Sequence, residues 1–518
     1  MIKASNITIS LKKERKVVEN LNFILNDNDK LAIIGEEGNG KSTLVKFIYD
    51  YNLIESYCNA SGSINVHKDE IGYLPQMMDS NWNNTSVEEY FLKDSFNDDI
   101  KYERYNDLYK IEKLFNEYEL DINILNENRL IKTLSGGEKI KLQLIKIFMM
   151  QPKLYLFDEP TNDIDLQTIE IIERFMLNTT IPIIFISHDE MLLSNVANII
   201  LHLEQIDRKT KMKFTLEKVN YQEYVENRSR RINQQNMDAY RTQKEKERKR
   251  QILMHQHQLV ENHINAEVKN PANGRILVKK MRNILAQEKK LEKMQVIEYA
   301  DVEEEINLFF DESINMPSGK TILNIENYDV VIENKVLCKN INLKVKGQEH
   351  ITIIGPNGVG KSTLLKHILN ILKLTSNISV GYMPQNYDDM LNDDKTPVEY
   401  LQQYLGYDKQ MQSKIMTCLG ALNFVEYEMK NTVKELSGGQ KAKLFLLQLV
   451  LNKNDVLVLD EPTRNLSPLS NPVIRNILKA FKGCIISVSH DRKYIFDVST
   501  SVYELNCNCI RKIDVKNH

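Results

Sequence analysis

One arrangement of residues occurs twice in this chain of 518 residues, and it limits the fold more than any other feature. The first half carries Gly35-Glu36-Glu37-Gly38-Asn39-Gly40-Lys41-Ser42-Thr43 and the second Gly355-Pro356-Asn357-Gly358-Val359-Gly360-Lys361-Ser362-Thr363. Each loop follows a short apolar run (31–34, 351–354) and leads into a helical pattern (44–48, 364–369). The repeat continues. Leu134-Ser135-Gly136-Gly137-Glu138 returns as Leu436-Ser437-Gly438-Gly439-Gln440, Phe157-Asp158-Glu159-Pro160-Thr161 as Leu459-Asp460-Glu461-Pro462-Thr463, and Ser187-His188-Asp189 as Ser489-His490-Asp491. The step from 135 to 159 equals that from 437 to 461, and the step from 159 to 188 equals that from 461 to 490. Conserved motif order at fixed spacing marks a duplicated unit. A strand, a Gly-rich loop and a helix in succession predict an α/β domain with a mostly parallel sheet, here twice in tandem.

The residue types in the repeat suit phosphate chemistry. Gly35, Gly38 and Gly40, with Gly355, Gly358 and Gly360, permit a tight turn whose amides point inward at an anion. The following helix adds its positive N-terminal end. Lys41 and Lys361 reach for β- and γ-phosphates, and the hydroxyls of Ser42 and Ser362, followed by Thr43 and Thr363, suit Mg²⁺. Asp158 and Asp460 close apolar strands (154–157, 456–459), where a carboxylate holds Mg²⁺ directly or through water. Glu159 and Glu461 follow and are placed to orient or deprotonate a water. Gln76 and Gln385, each in a Tyr-x-Pro-Gln run, suit contact with the metal or water and sensing of the γ-phosphate. His188 and His490 follow apolar strands in the same context and carry the same sensing expectation. A bare Asp-Glu pair capping a surface helix is the bland alternative, and the doubling of the whole set argues against it.

Composition narrows the setting. Net charge is −3, so affinity for a polyanion has to come from a local patch. The six cysteines are scattered, and Cys507 and Cys509 alone lie close together, one residue apart, a spacing unlike common zinc or thioredoxin-type motifs. Reduced thiols in a cytoplasmic protein are expected. The opening residues have no apolar run after their charges, so no signal peptide is expected. No stretch approaches the ~18 apolar residues of a membrane helix.

The middle differs from both repeats. From about 221 to 266 there is no Pro or Gly, and Gln, Lys, Arg, Glu and Met dominate, which predicts one long helix. Asn270-Pro271-Ala272-Asn273-Gly274 predicts a turn, and a second helix is expected from about 276 to 307. Ile252, Leu259 and Ile264, opposite Ile276, Met281, Ile284, Leu285, Leu291 and Met294, are expected to form an antiparallel, coiled-coil-like seam. Residues 227–300 hold 17 Lys and Arg against 8 Asp and Glu, a net +9 in a chain of net −3. That asymmetry points to a polyanion partner. A solvated linker kept helical by Lys/Glu pairs is the alternative. Arg230 and Arg231, and Arg248, Lys249 and Arg250, read as unneutralised clusters. Lys269, Asn273, Arg275, Lys279 and Lys280 lie at or near a tip spanning about 267–278. The resulting division is 1–220 for the first nucleotide domain, 221–316 for a helical hairpin, and 317–518 for the second domain.

The Leu-Ser-Gly-Gly signature, the two Walker-type motifs, the Pro-Gln loop and the Ser-His-Asp switch resemble those of ATP-binding cassette ATPases. The resemblance implies ATP and Mg²⁺ as ligands. It also implies head-to-tail pairing in which Lys41, Ser42, Gln76, Asp158, Glu159 and His188 share one ATP with Ser437, Gly438 and Gly439. Lys361, Ser362, Gln385, Asp460, Glu461 and His490 would share a second ATP with Ser135, Gly136 and Gly137. Two departures stand out. Thr463-Arg464-Asn465-Leu466-Ser467 carries Ser467 where Asp165 stands in the first copy, which implies unequal sites. Leu11 and Ile332 occupy the places where an adenine-stacking aromatic is usual.

Tandem cassettes, a hairpin linker and no membrane segment resemble the ABC-F subfamily. The short first cassette, the long linker and the Thr-Arg-Asn-Leu-Ser run resemble its antibiotic-resistance members from Gram-positive bacteria. That resemblance implies a cytoplasmic monomer with intramolecular cassette pairing that enters the E site of the 70S ribosome. Its linker tip would point at the P-site tRNA and 23S rRNA and displace lincosamides, pleuromutilins or streptogramin A. The alternatives are an ABC-F translation factor without a drug role, a DNA-binding repair ATPase, and the ATPase of a transporter with a separate membrane partner.

Overall fold

The computed structural model describes the chain except for residues 13–15, 128, 163, 208, 267–270, 301–309, 311–315, 333–334, 376–377, 392–393, 508 and 514–518. Side chains at 107, 126, 265–266, 271–275, 332 and 335 are likewise outside the description. Two compact units result. One comprises Met1–Tyr221 with Glu303–His518 and holds both cassettes; the other is Gln222–Val302.

Each cassette is built on a six-stranded sheet. In the first, the spatial order is Ile71–Leu74, Leu154–Asp158, Ile183–Ile186, Lys30–Ile34, Ile199–Ile206, Lys211–Glu217, with only the last pair antiparallel. The second repeats it with Val380–Met383, Val456–Asp460, Cys484–Val488, His350–Ile354, Ser501–Asn506 and Cys509–Ile513. The central strands read as unbroken apolar runs because both faces are covered, as parallel sheets require. The strands Ile2–Leu11, Lys16–Leu25 and Cys58–Ile64 form a separate antiparallel sheet in the first cassette. Thr321–Ile332 and Lys335–Lys346 pair likewise in the second.

Between the Pro-Gln loop and the signature, each cassette inserts helices rather than strands. In the first, Val87–Leu92 and Leu108–Glu117 pack around Trp82, Tyr90, Phe91 and Phe115. Ser86 caps the first of these by accepting from the Glu89 amide at 3.2 Å. In the second, Pro397–Leu405 opens with Thr396 and Glu399 in a reciprocal capping box.

The middle unit holds helices Tyr221–Ala266 and Pro271–Glu292. Three expectations change here. The second helix starts at Pro271 rather than about 276, because Pro is tolerated, even favoured, at a first helical position. It ends at Glu292 rather than about 307. Beyond it the chain is non-helical through Ala300, and its backbone is held by the long helix instead: Lys246 Nζ donates to Met294 O at 3.2 Å, Gln235 Nε2 to Glu298 O at 3.2 Å, and Ala300 N to Asn236 Oδ1 at 2.8 Å. The apolar seam is also changed in part: Ile264, Met281, Ile284, Leu291 and Met294 are protected as expected, and the other expected positions are not. Ile252, Leu259, Ile276 and Leu285 are exposed, whereas Leu253 and Ile284 are buried. The protected positions Ala239, Thr242, Lys246, Leu253, His257, Val260 and Ile264 fall at heptad spacing, as do Leu277, Met281, Ile284, Glu288 and Leu291. A polar pair sits within the seam, His257 Nδ1 lying 3.0 Å from Glu288 Oε1.

Among the described residues, no helix is long and apolar enough to cross a membrane.

Candidate nucleotide sites

Both Gly-rich loops adopt the conformation their glycines allow. Gly35, Gly38 and Gly40 have φ of 142°, 81° and 87°; Gly355, Gly358 and Gly360 have 148°, 79° and 102°. At Gly35 a Cβ would run into the carbonyl oxygen of Leu203, a backbone atom that cannot yield. Gly35→Ala therefore combines that collision with left-handed strain of roughly 1–3 kcal/mol. The expected outcome is loss of nucleotide binding at the first site, read by filter retention of labelled ATP; undiminished binding would contradict this geometry. The first loop is pinned from behind by Asn39, whose Nδ2 donates to Leu203 O at 2.9 Å and whose Oδ1 accepts from Gln205 Nε2 at 2.6 Å.

The lysine of each loop folds back along it. Lys41 Nζ donates to Gly35 O and Glu36 O at 2.8 and 3.0 Å; Lys361 Nζ donates to Gly355 O and Pro356 O at 2.8 and 2.9 Å. Thr43 and Thr363 lie in the first turn of the following helices. Ser42 Oγ donates to Asp158 Oδ1 at 2.8 Å, and Ser362 Oγ to Asp460 Oδ1 at 3.4 Å. Burial pushes the Asp158 carboxyl up to about 6, partly opposed by the Ser42 hydroxyl, and pushes Asp460 upward too. A hydroxyl and a desolvated carboxylate, both oxygen donors, fit a hard divalent ion. Among the described residues, no group of three His, Cys, Asp or Glu side chains makes a metal cage. The protein thus offers part of a Mg²⁺ shell, which suits an ion that keeps waters and takes its remaining ligands from substrate phosphates.

The glutamates come next. Glu159 and Glu461 both adopt φ of 54°, unusual for a non-glycine and found where a site dictates the backbone. In the first cassette Glu159 is held from three sides: Gln76 Nε2 donates to its Oε2 at 2.9 Å, Asn162 Nδ2 reaches the same oxygen, and His188 Nε2 lies 3.3 Å from Oε1. Burial works against ionisation there, yet the neighbouring His188, Lys41 and the hydrogen bond from Asn162 hold the carboxyl down at about 2. In the second cassette Glu461 accepts from His490 N at 3.2 Å and Ser489 Oγ at 3.4 Å, with His490 Nε2 farther off at 3.9 Å. Burial pushes Glu461 up to about 8, and burial beside Lys361 pushes His490 down to about 4. The glutamate is thus held ionised in the first site, whereas burial drives both the glutamate and the histidine towards neutrality in the second.

The cassettes meet across these loops. The second signature lies against the first Gly-rich loop. Gly439 N donates to Glu37, and the Glu37 carboxylate also crowds Gly438. Ser437 caps its own helix, Gly438–Leu451, accepting from Gln440 N at 3.3 Å; Ser135 caps Gly136–Met149 by accepting from Glu138 N. His188 spans the junction, its Nδ1 lying 2.5 Å from Leu466 O of the second cassette. The second site is a cleft with walls from both cassettes. Gly358, Gly360, Lys361, Ser362, Thr363, Gln385, Asp460, Glu461 and His490 face Thr161, Asn162, Ile164 and His188. Ser135, Gly136 and Gly137 are not among the lining residues, so the first cassette reaches this cleft through the stretch after Glu159 rather than through its signature. Of the two positions expected near adenine, Leu11 packs on the core beneath the antiparallel sheet, and the Ile332 side chain is outside the description. Leu337, unremarked in the sequence, lines the cleft instead.

A buried cluster around Glu36 was also missed. Glu36 Oε1 accepts from Ser470 Oγ at 2.6 Å and Ser467 Oγ at 3.1 Å, and Lys443 Nζ lies 3.5 Å away. Burial opposes its charge, and Lys443 with the two serine hydroxyls and Lys41 still holds Glu36 below the usual carboxylate range. The equivalent junction at the second loop is reversed: Asn357 N donates to Asp165 Oδ2 at 3.5 Å. A carboxylate sits on the Gly-rich loop in one site and on the opposing cassette in the other. The sequence carried the signal as paired departures, Glu36-Glu37 for Pro356-Asn357 and Ser467 for Asp165.

In the middle unit, Arg248, Arg250, Lys279 and Lys280 are exposed. The clusters are not wholly unneutralised: Arg230 lies 3.4 Å from Glu226, and Lys249 2.6 Å from Glu245, each one helical turn away. Arg231 sits over the Tyr224 ring at 5.9 Å. Lys269 lies outside the described residues. Asn273 and Arg275 fall in the first turns of Pro271–Glu292, their side chains undescribed.

The sequence profile of the ABC transporter family matches residues 18–162 and 338–464, over half of the chain. Over 96% of its length the chain is 29% identical to the ATP-binding protein Uup of Buchnera aphidicola, covering 78% of that protein. It is 28% identical to the putative ATP-binding protein YdiF of Bacillus subtilis (96% of this chain, 78% of that one). It is equally similar to ABC transporter F family member 5 of Arabidopsis thaliana, at 28% over 98% of this chain and 75% of that protein. Among solved structures, the archaeal ribosome recycling factor aABCE1, in complex with the ribosomal stalk protein aP1, superposes with a TM-score of 0.57 at 16% identity. That match covers 96% of this chain and 88% of the other and shows a common fold.

Proposed function

The chain belongs to the ABC transporter family, and on that premise we propose that it is an ATP-driven ribosome-binding protein that protects the ribosome from antibiotics. It is an ATPase that takes ATP with Mg²⁺, and its full-length relatives are of the ABC-F type. When bound, Mg²⁺ neutralises charge on the transferred phosphoryl group. Lys41 and Lys361 bind the phosphates, Ser42 with Asp158 and Ser362 with Asp460 hold the ion, and Gln76 and Gln385 sit beside the reacting centre. Glu159 and Glu461 orient the attacking water and take its proton, while His188 and His490 hold those glutamates and report on the γ-phosphate. The loop glycines supply amides that donate to the phosphates, Ser437–Gly439 lie against the first loop to do the same, and Ser135–Gly137 would join the second site on tighter closure of the cassettes.

In this reading the protein is a cytoplasmic monomer whose cassettes pair within the chain. It enters the E site and carries its hairpin towards the P-site tRNA and 23S rRNA, displacing lincosamides, pleuromutilins or streptogramin A. The observation that carries the proposal is the basic hairpin of 222–302, with Arg248, Arg250, Lys279 and Lys280 exposed to a polyanion. Expression in a susceptible strain tests it. The inhibitory concentrations of these drugs are expected to rise severalfold, and the Arg248→Glu, Lys249→Glu, Arg250→Glu variant to cancel the rise. Unchanged sensitivity with intact ribosome binding would leave a translation factor without a drug role. Binding to duplex DNA in preference to ribosomes would replace both readings.

A further inference from the structure

Two ion pairs join the cassettes at positions related by the repeat. Equal motif spacing makes positions 302 residues apart equivalent, as with Glu159 and Glu461 or His188 and His490. By that rule Glu173 corresponds to Arg475, and Glu190 to Arg492. The contacts cross. Arg475 Nη2 donates to Glu190 Oε2 at 3.0 Å, and Arg492 Nη1 donates to Glu173 Oε2 at 2.7 Å. Glu190 and Arg475 are buried, and Glu173 and Arg492 nearly so. Both acids therefore lie on the first cassette and both bases on the second, at the same two places of the shared fold.

The supporting residues follow the same reversal. Asn195 and Asp497 are also equivalent positions. Asn195 Nδ2 donates to Glu173 Oε1 at 2.5 Å, an amide suited to an acid. Asp497 Oδ2 accepts from Arg475 Nε at 2.8 Å, a carboxylate suited to a base. Arg492 also donates from Nη2 to Asp189 Oδ2 at 3.1 Å.

We propose that Glu173, Glu190, Arg475 and Arg492 form a charge code that pairs the first cassette with the second and rejects pairing of like cassettes. In a junction between two first cassettes the code sets Glu against Glu; between two second cassettes it sets Arg against Arg. Like charges juxtaposed at an interface are strongly disfavoured, and buried ones most of all. The partner this surface fits is the other half of the same chain, or that half in a second copy. The code goes beyond the ribosomal reading and does not depend on it.

Charge reversal in the full chain tests it. The Glu173→Arg, Glu190→Arg variant sets four arginines at the junction, and the Arg475→Glu, Arg492→Glu variant sets four acids. Each is expected to lose ATPase activity by about tenfold or more, and the four changes combined, with Asn195→Asp and Asp497→Asn so that each supporting residue follows its partner, to recover it to within about threefold of the unaltered chain. Native mass spectrometry of the two doubles mixed together adds a second measurement. One chain then has basic faces on both cassettes and the other acidic faces on both, so a mixed dimer is expected that neither forms alone. A combined variant that hydrolyses ATP no better than the doubles, or does not fold, overturns the proposal, as does full activity in either double.

Discussion

Replacing both Glu159 and Glu461 by Gln is expected to slow ATP hydrolysis by roughly two to four orders of magnitude while ATP binding is kept. The amide keeps the shape and hydrogen-bonding reach of each side chain but cannot take a proton. The two sites are not expected to respond alike. Glu159 sits in a ready-made cage of Gln76, Asn162 and His188, ionised and oriented. Glu461 rests on the His490 amide and Ser489, with the His490 ring farther away. Glu159→Gln alone is therefore expected to remove the larger share of single-turnover hydrolysis, and Glu461→Gln the smaller. Rapid-quench measurement on each single variant checks this; equal losses would show that the cage around Glu159 has no kinetic consequence.

Ser467→Asp is expected to be the most damaging conservative change at the cassette junction. Ser467 is fully buried and donates to Glu36, which Ser470 and Lys443 also contact. An aspartate there sets a second carboxylate beside Glu36, with only Lys443 and Lys41 to offset both. Juxtaposed like charges cost on the order of several kcal/mol, enough for a loss of more than about a hundredfold in hydrolysis. The second junction supplies the remedy, since its loop carries Pro356 and Asn357 and its opposing residue is Asp165. Adding Glu36→Pro and Glu37→Asn to Ser467→Asp is expected to restore most of the activity. Steady-state ATPase assays with thermal unfolding on all three variants decide it; a Ser467→Asp chain with normal activity would refute the electrostatic account of the unequal sites.

Much of the nucleotide chemistry was legible in the sequence because it depends on spacing. Glycines, a lysine and a hydroxyl within nine residues, followed by a carboxylate at the end of an apolar strand, leave few ways to fold. The junction was not legible in the same way. Glu36 and Glu37 fall at positions where the motif accepts many residue types, and their meaning appears only with Ser467, Ser470 and Lys443, more than 400 residues on. The pairing of Glu190 with Arg475 needed both the repeat and the contact. In the hairpin, periodicity predicted two helices and part of the seam, Ile264, Met281, Ile284, Leu291 and Met294, but missed by one position at Ile252, Leu259 and Ile276. A sparse apolar pattern in a charged helix leaves the phase open, and Leu253 rather than Ile252 is the buried one. Pro271 suits a turn and the first turn of a helix equally, because its fixed φ fits both, and the helix prevails.

On the proposed ribosomal role, ATP is expected to hold the protein on the ribosome and hydrolysis to release it. The most direct test is sucrose-cushion sedimentation of the Glu159→Gln, Glu461→Gln chain with 70S ribosomes and ATP. The variant is expected to pellet with ribosomes near one to one, the unaltered chain far below that, and the variant with Arg248, Lys249 and Arg250 reversed to glutamate to stay in solution. Equal sedimentation of the hydrolysis-deficient and unaltered chains would contradict the account.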